Sequence, residues 1–538
     1  MNRKRTRLLI HMALAAVLAV AVAAPTMACT SIPVGKLASV DGSVMTTHTD
    51  DCGYCDPRIF YIPAADYPEG AMRPVYSIGS FRSPEEEAYV PPVYQGEIPQ
   101  VSHTYAYLYG SYGMINEKQL ALGETTIGQR RELSNPTGMF DIGELTKIAL
   151  ERCTTARDAI KTMGSLAEQY GYRDSGECLT VADPNEVWLF EIVGSTPLYQ
   201  SAVWVAQRVP DDHVSVSANR SRIGEIDLSN PDYFMASENV FDIAIENGWW
   251  DPASGEPFRF YEAYAPKNDV YNSRREWRVL SLLAPSLNLD PWAMRYPFSV
   301  KPDFKVSVDT LNQIQRDHYE GTEFDLTKGL AAGPFGTPDR WATSSRQGGV
   351  WERAISIFRA AYTWTAQLRS WLPDEIGGVL WFGSDCGHGT VYVPLYAGIT
   401  RIPSSYSIGT TVEFDPNAAW WVFDFVENWA NLKYSYMIED IKAKQQEIEG
   451  RQYALQPAVE AAALIMYQQD PELAREFLTN YCETNANGVV KEYWEFAKHL
   501  IVKYNDGYVN VPRVGTTVGY PDEWLKAVEF GPIPEPYK

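Results

Sequence analysis

The sequence feature that most limits what this protein can be lies in its first 28 residues. Four basic residues stand within the first seven positions, an apolar run follows over 8–24, and Ala28 closes a short cleavage-like stretch. These three parts predict a secretory signal peptide over 1–28. A permanent membrane anchor is disfavoured because His11 interrupts the run and the cleavage-like stretch follows it directly. We therefore expect export to the periplasm, the envelope or the medium of a bacterial cell, with a mature chain that starts at Cys29.

The net charge of the chain excludes some classes of binding partner. Removing the leader takes four of the 46 Lys and Arg residues and none of the 68 Asp and Glu residues, so the net charge of the mature chain is −26. Such a surface repels nucleic acid and anionic lipid. With 45% hydrophobic residues and no low-complexity linker, the sequence predicts one large folded body.

The cysteines are odd in number, which is unusual for an exported protein. Seven are present, so at least one thiol has no partner within the chain. Cys52 and Cys55 have the spacing of a zinc or redox pair, yet no second such pair follows. We interpret them as a loop disulfide or as two plain thiols.

The hydrophobic pattern predicts a mixture of strands and helices. Residues that are β-branched or aromatic cluster between turn residues in several short segments, and other segments carry apolar residues at helical spacing. The predicted strands are 30–34, 42–47, 104–109, 119–127, 178–193 and 199–207. The predicted helices are 143–170, split near Thr154 and Thr155, then 351–370, 420–449 and 456–500.

Catalytic chemistry is best supported at Cys29. The sequence has no His-Glu-x-x-His, Gly-x-Ser-x-Gly or phosphate-loop motif. Cleavage after Ala28 would leave a thiol and a free α-amine on one residue, which supplies a nucleophile and a base. Two alternatives stay open: a buried structural cysteine, and lipidation of Cys29. The usual lipidation signal places Leu where this chain has Thr26.

The sequence around Cys29 also carries a family resemblance. The stretch Cys29–Ser43 (CTSIPVGKLASVDGS) resembles the mature start of the PepD-type cysteine dipeptidases, within the N-terminal nucleophile (Ntn) hydrolase superfamily. Further segments that resemble the family, in the expected order, are Tyr112–Glu117, Gly123–Thr126, Ala182–Trp188, Ser217–Arg220, Asn272–Arg278, Gly333–Gly336 and Val393–Tyr396.

The resemblance implies a fold and a domain plan. The fold class is α+β, a four-layer αββα Ntn-hydrolase sandwich in which two antiparallel sheets lie between layers of helices. The similarity covers nearly all of 29–538, which we expect to form one dipeptidase domain. Helical C-terminal additions are expected over about 415–538.

The resemblance also implies site residues. Cys29 matches the nucleophile, and Asp51, with Asp50 as the alternative, would orient its α-amine. His48 stands where the superfamily's cysteine amidases have an arginine, and a histidine is charged only part of the time near neutral pH. The remaining candidates are Asn219 as the oxyanion donor, Asn116 as a polar pocket residue, and Arg274 near the nucleophile, with Arg275 and Arg278 as competitors.

The implied reaction is the hydrolysis of a peptide bond by two acyl transfers, with no metal or organic cofactor. The expected partners are small peptides, chiefly dipeptides; nucleic acid is not expected, nor a membrane unless Cys29 is lipidated. The choice between monomer and homo-oligomer stays open. Two alternative functions are an amidase of the penicillin or bile-salt type, and a non-catalytic envelope binding protein whose 16 Trp and 33 Tyr line a ligand surface.

Overall fold

A computed structural model describes most of the mature chain. The described residues are 29–53, 55–77, 92–195, 201–341, 352–511, 514–529, 531 and 534–537. The predicted signal peptide, 1–28, lies outside them.

The strands belong to two main sheets and several two-stranded ribbons. In chain order they are β1 (Val44–Asp50), β2 (Phe60–Ile62), β3 (Ala65–Asp66), β4 (Met72–Ser77), β5 (Val93–Pro99), β6 (His103–Thr104), β7 (Tyr107–Tyr109), β8 (Gly113–Asn116), β9 (Ala121–Thr126), β10 (Glu177–Ala182), β11 (Val187–Gly194), β12 (Ala202–Val209), β13 (Val214–Ser215), β14 (Phe234–Ala236), β15 (Ser299–Val300), β16 (Tyr362–Leu368), β17 (Val379–Ser384), β18 (Val393–Tyr396), β19 (Tyr508–Val511) and β20 (Val514–Thr517).

The helices are short in the first part of the chain and long near its end. They are α1 (Ile142–Arg152), α2 (Ala156–Tyr170), α3 (Asp242–Glu246), α4 (Phe260–Ala263), α5 (Val270–Leu283), α6 (Val308–Ile314), α7 (Asp374–Gly377), α8 (Ala419–Ala430), α9 (Tyr434–Gln469), α10 (Pro471–Tyr504) and α11 (Asp522–Ala527). None of the helices in these described ranges is both long and apolar enough to cross a membrane.

The two main sheets touch each other through β1. The smaller sheet has the order β1-β16-β17-β18, and the larger has the order β14-β12-β11-β10-β9-β8-β7-β2; all their pairs are antiparallel. Strand β1 contacts β9, β10 and β11 of the larger sheet. Helices α1 and α2 pack on the larger sheet, whereas α8, α9 and α10 pack on the smaller one. The αββα layer order itself stays a prediction.

The contact between the sheets is close and partly polar. Thr46 Oγ1 donates to Thr180 Oγ1 at 2.6 Å, and this bond joins β1 to β10. A Cβ atom on Gly123 would lie 2.6 Å from Thr180 Oγ1 and 2.6 Å from the carbonyl oxygen of Thr47. Glycine is therefore required at this point, because any side chain would push the sheets apart.

Several predicted elements are confirmed and others are wrong; the predicted strand 178–193, for example, is the two strands β10 and β11. The helical segment 143–170 divides into α1 and α2, and Thr155 caps α2 by accepting a hydrogen bond from the Asp158 amide. The predicted helix at 351–370 is wrong, since its described part contains β16, a central strand whose seven residues are all buried. Burial on both faces removes the alternation that would have marked a strand.

The bounds of the predicted helices 420–449 and 456–500 are also wrong, because α8 ends at Ala430 and α9 begins at Tyr434. Helix α9 continues through Gly450 and Pro457, and the break falls at Asp470, whose side chain caps α10 with Pro471 at its first position. A single glycine destabilises a helix by only about 1 kcal/mol, which packing along a 36-residue helix can offset.

Three further predictions concern the N-terminal segment, the Cys52–Cys55 loop and the C-terminal region. The predicted strand 30–34 is reduced to isolated bridges, at Ser31 and at Val34. Cys52 and Cys55 form a disulfide, one of the two expected outcomes. In the region 415–538 the described residues form α8 to α11 and a β19–β20 hairpin, which was not predicted.

Candidate active site

Cys29 lies beside the C-terminal end of β1. The Thr30 amide donates to Thr49 Oγ1 at 3.0 Å, and the Ile32 amide donates to Thr47 Oγ1 at 3.0 Å. Ser31 bridges to Ser217 on the other side. The segment that starts at Cys29 is thus held on both sides, and Cys29 is fully buried.

The thiol faces two side chains from opposite sheets. Cys29 Sγ donates to Glu124 Oε2 at 3.2 Å, and Glu124 lies on β9. His48, on β1, places Nδ1 at 2.9 Å from the Glu124 carbonyl oxygen. Polar atoms of the three residues lie within 4.8 Å of one another. The structure therefore brings His48 close to Cys29 and adds the carboxyl group of Glu124.

His48 does not supply a cation at neutral pH. Burial lowers the pKa of its imidazole to about 4, and the hydrogen bond to the Glu124 carbonyl offsets this only in part. The neutral ring packs against Tyr112 at 5.8 Å and against Trp364 at 5.6 Å between ring centroids. His48 thus replaces the permanent charge of an arginine with a neutral, hydrogen-bonded ring.

Buried carboxyl groups surround the thiol. Burial raises the pKa of the Cys29 thiol well above its usual value, and the negative charges of Glu124, Asp51 and Asp50 raise it further. Burial also raises the pKa of Glu124, while burial and the charge of Glu124 raise that of the adjacent Glu177. In these surroundings the thiol holds its proton unless a cation is placed beside it.

The two candidate aspartates have different partners. Asp51 forms a buried ion pair with Arg353 and accepts from Thr49 Oγ1 at 3.1 Å. Asp50 accepts from Ser111 Oγ at 2.7 Å, and burial raises its pKa to about 7. Each aspartate keeps one buried oxygen, Oδ1, that has no hydrogen-bond partner. Both carboxylates thus retain an acceptor next to Cys29.

The structure corrects the choice of arginine. Arg275, on α5, donates from Nη1 to the Cys29 carbonyl oxygen at 2.8 Å and to Thr30 Oγ1 at 2.9 Å. Its Nη2 donates to the Ala218 carbonyl at 3.1 Å and to Asn219 Oδ1 at 2.7 Å. Burial lowers its pKa to about 10, so the guanidinium stays charged at neutral pH. Arg275 is the cation that holds the first residue of the predicted mature chain.

Arg274 and Arg278 point to other partners. Arg274 lies over the Phe324 ring, 3.5 Å from its centroid, and donates to the Pro291 carbonyl at 2.7 Å. Arg278 pairs with Asp317. The prediction that Arg274 lies near the nucleophile is wrong, because adjacent residues of a helix point about 100° apart.

Asn219 and Asn116 differ in whether their contacts lead to Cys29. Asn219 adopts a left-handed backbone conformation with φ of 64° and lies between Arg275 and the Thr126 carbonyl, to which its Nδ2 donates at 2.9 Å. Asn116 instead donates to the Leu150 and Cys153 carbonyls, at 2.9 and 2.8 Å. Its side chain anchors α1 to β8, and no described contact joins it to Cys29.

Two residues in this site were missed by the sequence reasoning. Glu124 belongs to a segment that resembles the family, but no role was given to it; an ionisable residue inside the buried strand β9 was the available signal. Arg353, the partner of Asp51, stands in a segment with no catalytic pattern around it, so no signal was available.

Comparison with known proteins places this site in a family. The profile of Peptidase family C69 matches residues 28–447. A protein named probable dipeptidase from Latilactobacillus sakei is 29% identical over 70% of this chain and 76% of its own length. Probable dipeptidase A from Streptococcus pyogenes serotype M3 (strain SSI-1) is 25% identical over 88% of this chain and 98% of its own length.

A third relative gives the same result. Dipeptidase A from Lactobacillus helveticus is 27% identical over 73% of this chain and 80% of its own length. The matched region includes Cys29 and all the site residues described above. The chain therefore belongs to peptidase family C69, an Ntn-type family of cysteine peptidases, and is a hydrolase of the cysteine peptidase class.

Proposed function

We propose that this chain is an exported dipeptidase whose mature form begins at Cys29 and uses that residue as nucleophile and base. The relatives named dipeptidase support the substrate class. The observation that carries the mechanism is the position of Cys29, buried against Glu124 and held by Arg275 directly after the predicted cleavage point.

Removal of the leader would supply the cation that the thiol lacks. Before cleavage, the nitrogen of Cys29 is a neutral amide, and the nearby carboxylates favour the protonated thiol. After cleavage, the same nitrogen is an amine that takes the thiol proton and becomes an ammonium group beside the thiolate. Asp51 or Asp50 would accept a hydrogen bond from this ammonium through a buried oxygen.

The reaction then has two acyl transfers. The thiolate of Cys29 adds to the peptide carbonyl carbon, and the ammonium gives its proton to the leaving amine as the C–N bond breaks. A water molecule loses a proton to the α-amine, attacks the thioester and releases the first amino acid. Each addition creates an oxyanion, which requires fixed hydrogen-bond donors. Asn219 is the proposed side-chain donor.

The fold expected for the family forms part of the same proposal. An αββα sandwich is supported by three contacts: β1 against the larger sheet, α1 and α2 against that sheet, and α8 to α10 against the smaller sheet. In such a sandwich, the nucleophile lies at the edge where the two sheets meet.

The substrate class is tested by comparing blocked and unblocked substrates. Purified mature protein is assayed with free dipeptides, N-acetylated dipeptides and acylated amines. A dipeptidase hydrolyses the free dipeptides with the highest kcat/KM. A preference for either blocked substrate would favour the amidase alternative and contradict the proposal.

The role of the α-amine is tested by mass spectrometry and a blocked variant. The mature N-terminus should be an unmodified Cys29. A variant that keeps two extra residues before Cys29 retains the thiol but loses the free amine, and should lose nearly all activity. Full activity in that variant, or a lipid on Cys29 of the active enzyme, would exclude the proposed mechanism.

A further inference from the structure

A second group of Cys, His and Glu side chains lies outside the proposed active site. Cys386 and His388 stand in the loop between β17 and β18, and Glu427 stands on α8. All three are at most 2% exposed, and polar atoms of the three lie within 4.8 Å of one another. We call these residues the loop cluster. The proposed dipeptidase reaction uses none of them.

The backbone of this loop is fixed by buried side chains. Arg316 donates to the Gly387 carbonyl at 3.1 Å, and Gln445 donates to the His388 carbonyl at 3.0 Å. Tyr493 donates to the Gly389 carbonyl at 2.6 Å. Three successive carbonyl groups of the loop are therefore satisfied, and the loop is rigid before any ligand binds.

The side chains of the cluster are not satisfied in the same way. His388 Nε2 and Glu427 Oε1 lie 3.5 Å apart, and neither atom has a hydrogen-bond partner. Asp385 Oδ2 and His318 Nε2, close by, are also buried without a partner. The His318 and His388 rings are 4.7 Å apart between centroids. Four unpartnered polar atoms in one buried place are costly and require an explanation.

Neighbouring groups hold the cluster in place. His388 Nδ1 lies 3.1 Å from Ser356 Oγ and 3.5 Å from Cys386 Sγ, and Nε2 faces Glu427. The Asp339 carboxyl lies beside Glu427. A Cβ atom on Gly389 would lie 2.8 Å from Glu427 Cβ, so the loop approaches α8 this closely only because glycine is present. Outer hydrogen bonds of this kind are typical of metal ligands.

We propose that the loop cluster binds one zinc ion through Cys386 Sγ, one imidazole nitrogen of His388 and a carboxylate oxygen of Glu427. Cys386 Sγ and Glu427 lie beside different nitrogens of the ring, so the imidazole turns on binding until one nitrogen faces both. Zinc accepts this set of sulfur, nitrogen and oxygen ligands. Bonds of about 2.0–2.2 Å place neighbouring ligand atoms of a tetrahedron roughly 3.4 Å apart, which fits the 3.5 Å between His388 and Glu427. The Asp385 carboxylate or a water molecule would complete the tetrahedron.

The proposed zinc would support the active site from a distance. The segment 353–361 contacts both places: Ser356 bonds to His388, Arg353 pairs with Asp51, and the Ala361 amide donates to the Asp50 carbonyl. Metal bound at His388 would fix one side of this segment. The ion is thus structural and takes no part in bond breaking. This inference does not depend on the proposed dipeptidase function.

Metal analysis of the mature protein tests the proposal. The protein is purified without chelators and without a metal-affinity column, and its zinc content is measured by mass spectrometry. We expect about one equivalent per chain. His388→Ala and Cys386→Ser should each lose the zinc, whereas Cys29→Ser and Cys482→Ser, which alters a buried thiol of α10, should keep it.

Cobalt substitution distinguishes the loss of a metal ligand from the loss of zinc through misfolding of a variant. The protein stripped of metal is titrated with Co²⁺, and the sulfur-to-cobalt absorption band should appear in the wild type and in Cys29→Ser but not in Cys386→Ser. Absence of zinc from the wild type, together with no Co²⁺ or Zn²⁺ binding by the stripped protein, would overturn the proposal. Loss of the band in Cys29→Ser alone would show that the metal binds at Cys29 and not at the loop cluster, and would also overturn the proposal.

Discussion

Two places in this protein combine a buried cysteine, a buried histidine and a buried glutamate, yet their surroundings differ. At Cys29, the thiol donates to Glu124, His48 bonds to the backbone, and Arg275 places a cation on the Cys29 carbonyl. At Cys386, the facing atoms of His388 and Glu427 have no partner.

The difference shows that residue types alone do not set the chemistry of a cluster. Where the thiol donates to a carboxyl group and a free α-amine is expected on the same residue, the arrangement is suited to proton transfer and nucleophilic attack. Where a loop with satisfied carbonyl groups holds unpartnered histidine and glutamate atoms beside a thiol, the arrangement is suited to a metal ion. The free α-amine expected at Cys29 has no counterpart at Cys386, which lies in the middle of the chain.

The largest expected contrast lies between the two cysteines. Cys29→Ala removes the proposed nucleophile and should lower kcat/KM for dipeptides by at least about 1,000-fold. Cys386→Ala should lower thermal stability while the folded fraction keeps most of its activity. Steady-state assays and thermal unfolding on both variants check this prediction. Equal losses of activity in the two correctly folded variants would remove the distinction between the clusters.

The arginines of α5 give the next contrast. Arg275→Met leaves four buried acceptors without a donor, so we expect kcat/KM to fall about 100-fold and the free energy of unfolding to fall by about 3 kcal/mol. Arg274→Met is the matched control; it loses a cation–π contact worth about 1–2 kcal/mol, the hydrogen bond to the Pro291 carbonyl and the ion pair with Glu352, and should not change kcat/KM. Steady-state activity assays and urea unfolding, applied to both variants, measure this difference. A larger loss of activity in Arg274→Met would reverse the assignment.

Replacing the glutamate of each cluster should have a smaller effect, which is measured on the reactivity of the Cys29 thiol. Glu124→Gln removes a negative charge from beside the Cys29 thiol, so the pKa of that thiol should fall. The measurement is the rate of Cys29 alkylation by iodoacetamide as a function of pH. Glu427→Gln should leave this profile unchanged. A thiol that reacts identically in wild type and Glu124→Gln would show that the Glu124 carboxyl does not control it.

The smallest expected effect on activity is at His48. Because its pKa is about 4, His48 is neutral at pH 7, and His48→Gln should change kcat/KM only a few-fold, roughly 1 kcal/mol or less.

The stability of the wild type should also depend on this histidine. A histidine whose folded pKa is below its usual 6.5 lowers stability as pH falls from about 6.5 to about 4, because the unfolded state takes up the proton first. His48→Gln should therefore lose less stability than the wild type between pH 7 and pH 5 in urea unfolding. An identical loss would mean that His48 titrates normally.

Local signals in the sequence predicted local structure well. The start of α2 follows from the capping residue Thr155, and the spacing of Cys52 and Cys55 left a disulfide as one of two expected outcomes. Strand β16 was missed because its residues are buried on both faces, and α9 was divided at Gly450 because the sequence does not show the packing that offsets the cost of one glycine.

The candidate site could be predicted only in part, because most of its contacts join distant positions. Cys29, His48 and the two aspartates lie close together in the chain, and the structure places them together. Glu124 reaches Cys29 from another sheet, and Arg353 reaches Asp51 across about 300 residues. Neither contact leaves a periodic pattern. The distinction between Arg274 and Arg275 depends on the rotation of α5, which the motif alone does not specify.

Gly123 limits how this enzyme can be re-engineered. Its hydrogen atom occupies the space where the backbone of β1 meets Thr180, so even alanine at this position would shift Glu124, the next residue, away from the thiol. Libraries that aim to widen the substrate range should leave this position untouched and vary residues on surrounding loops. In directed evolution, Gly123 is expected to behave as an invariant spacer, intolerant of every substitution while its strand neighbours accept some.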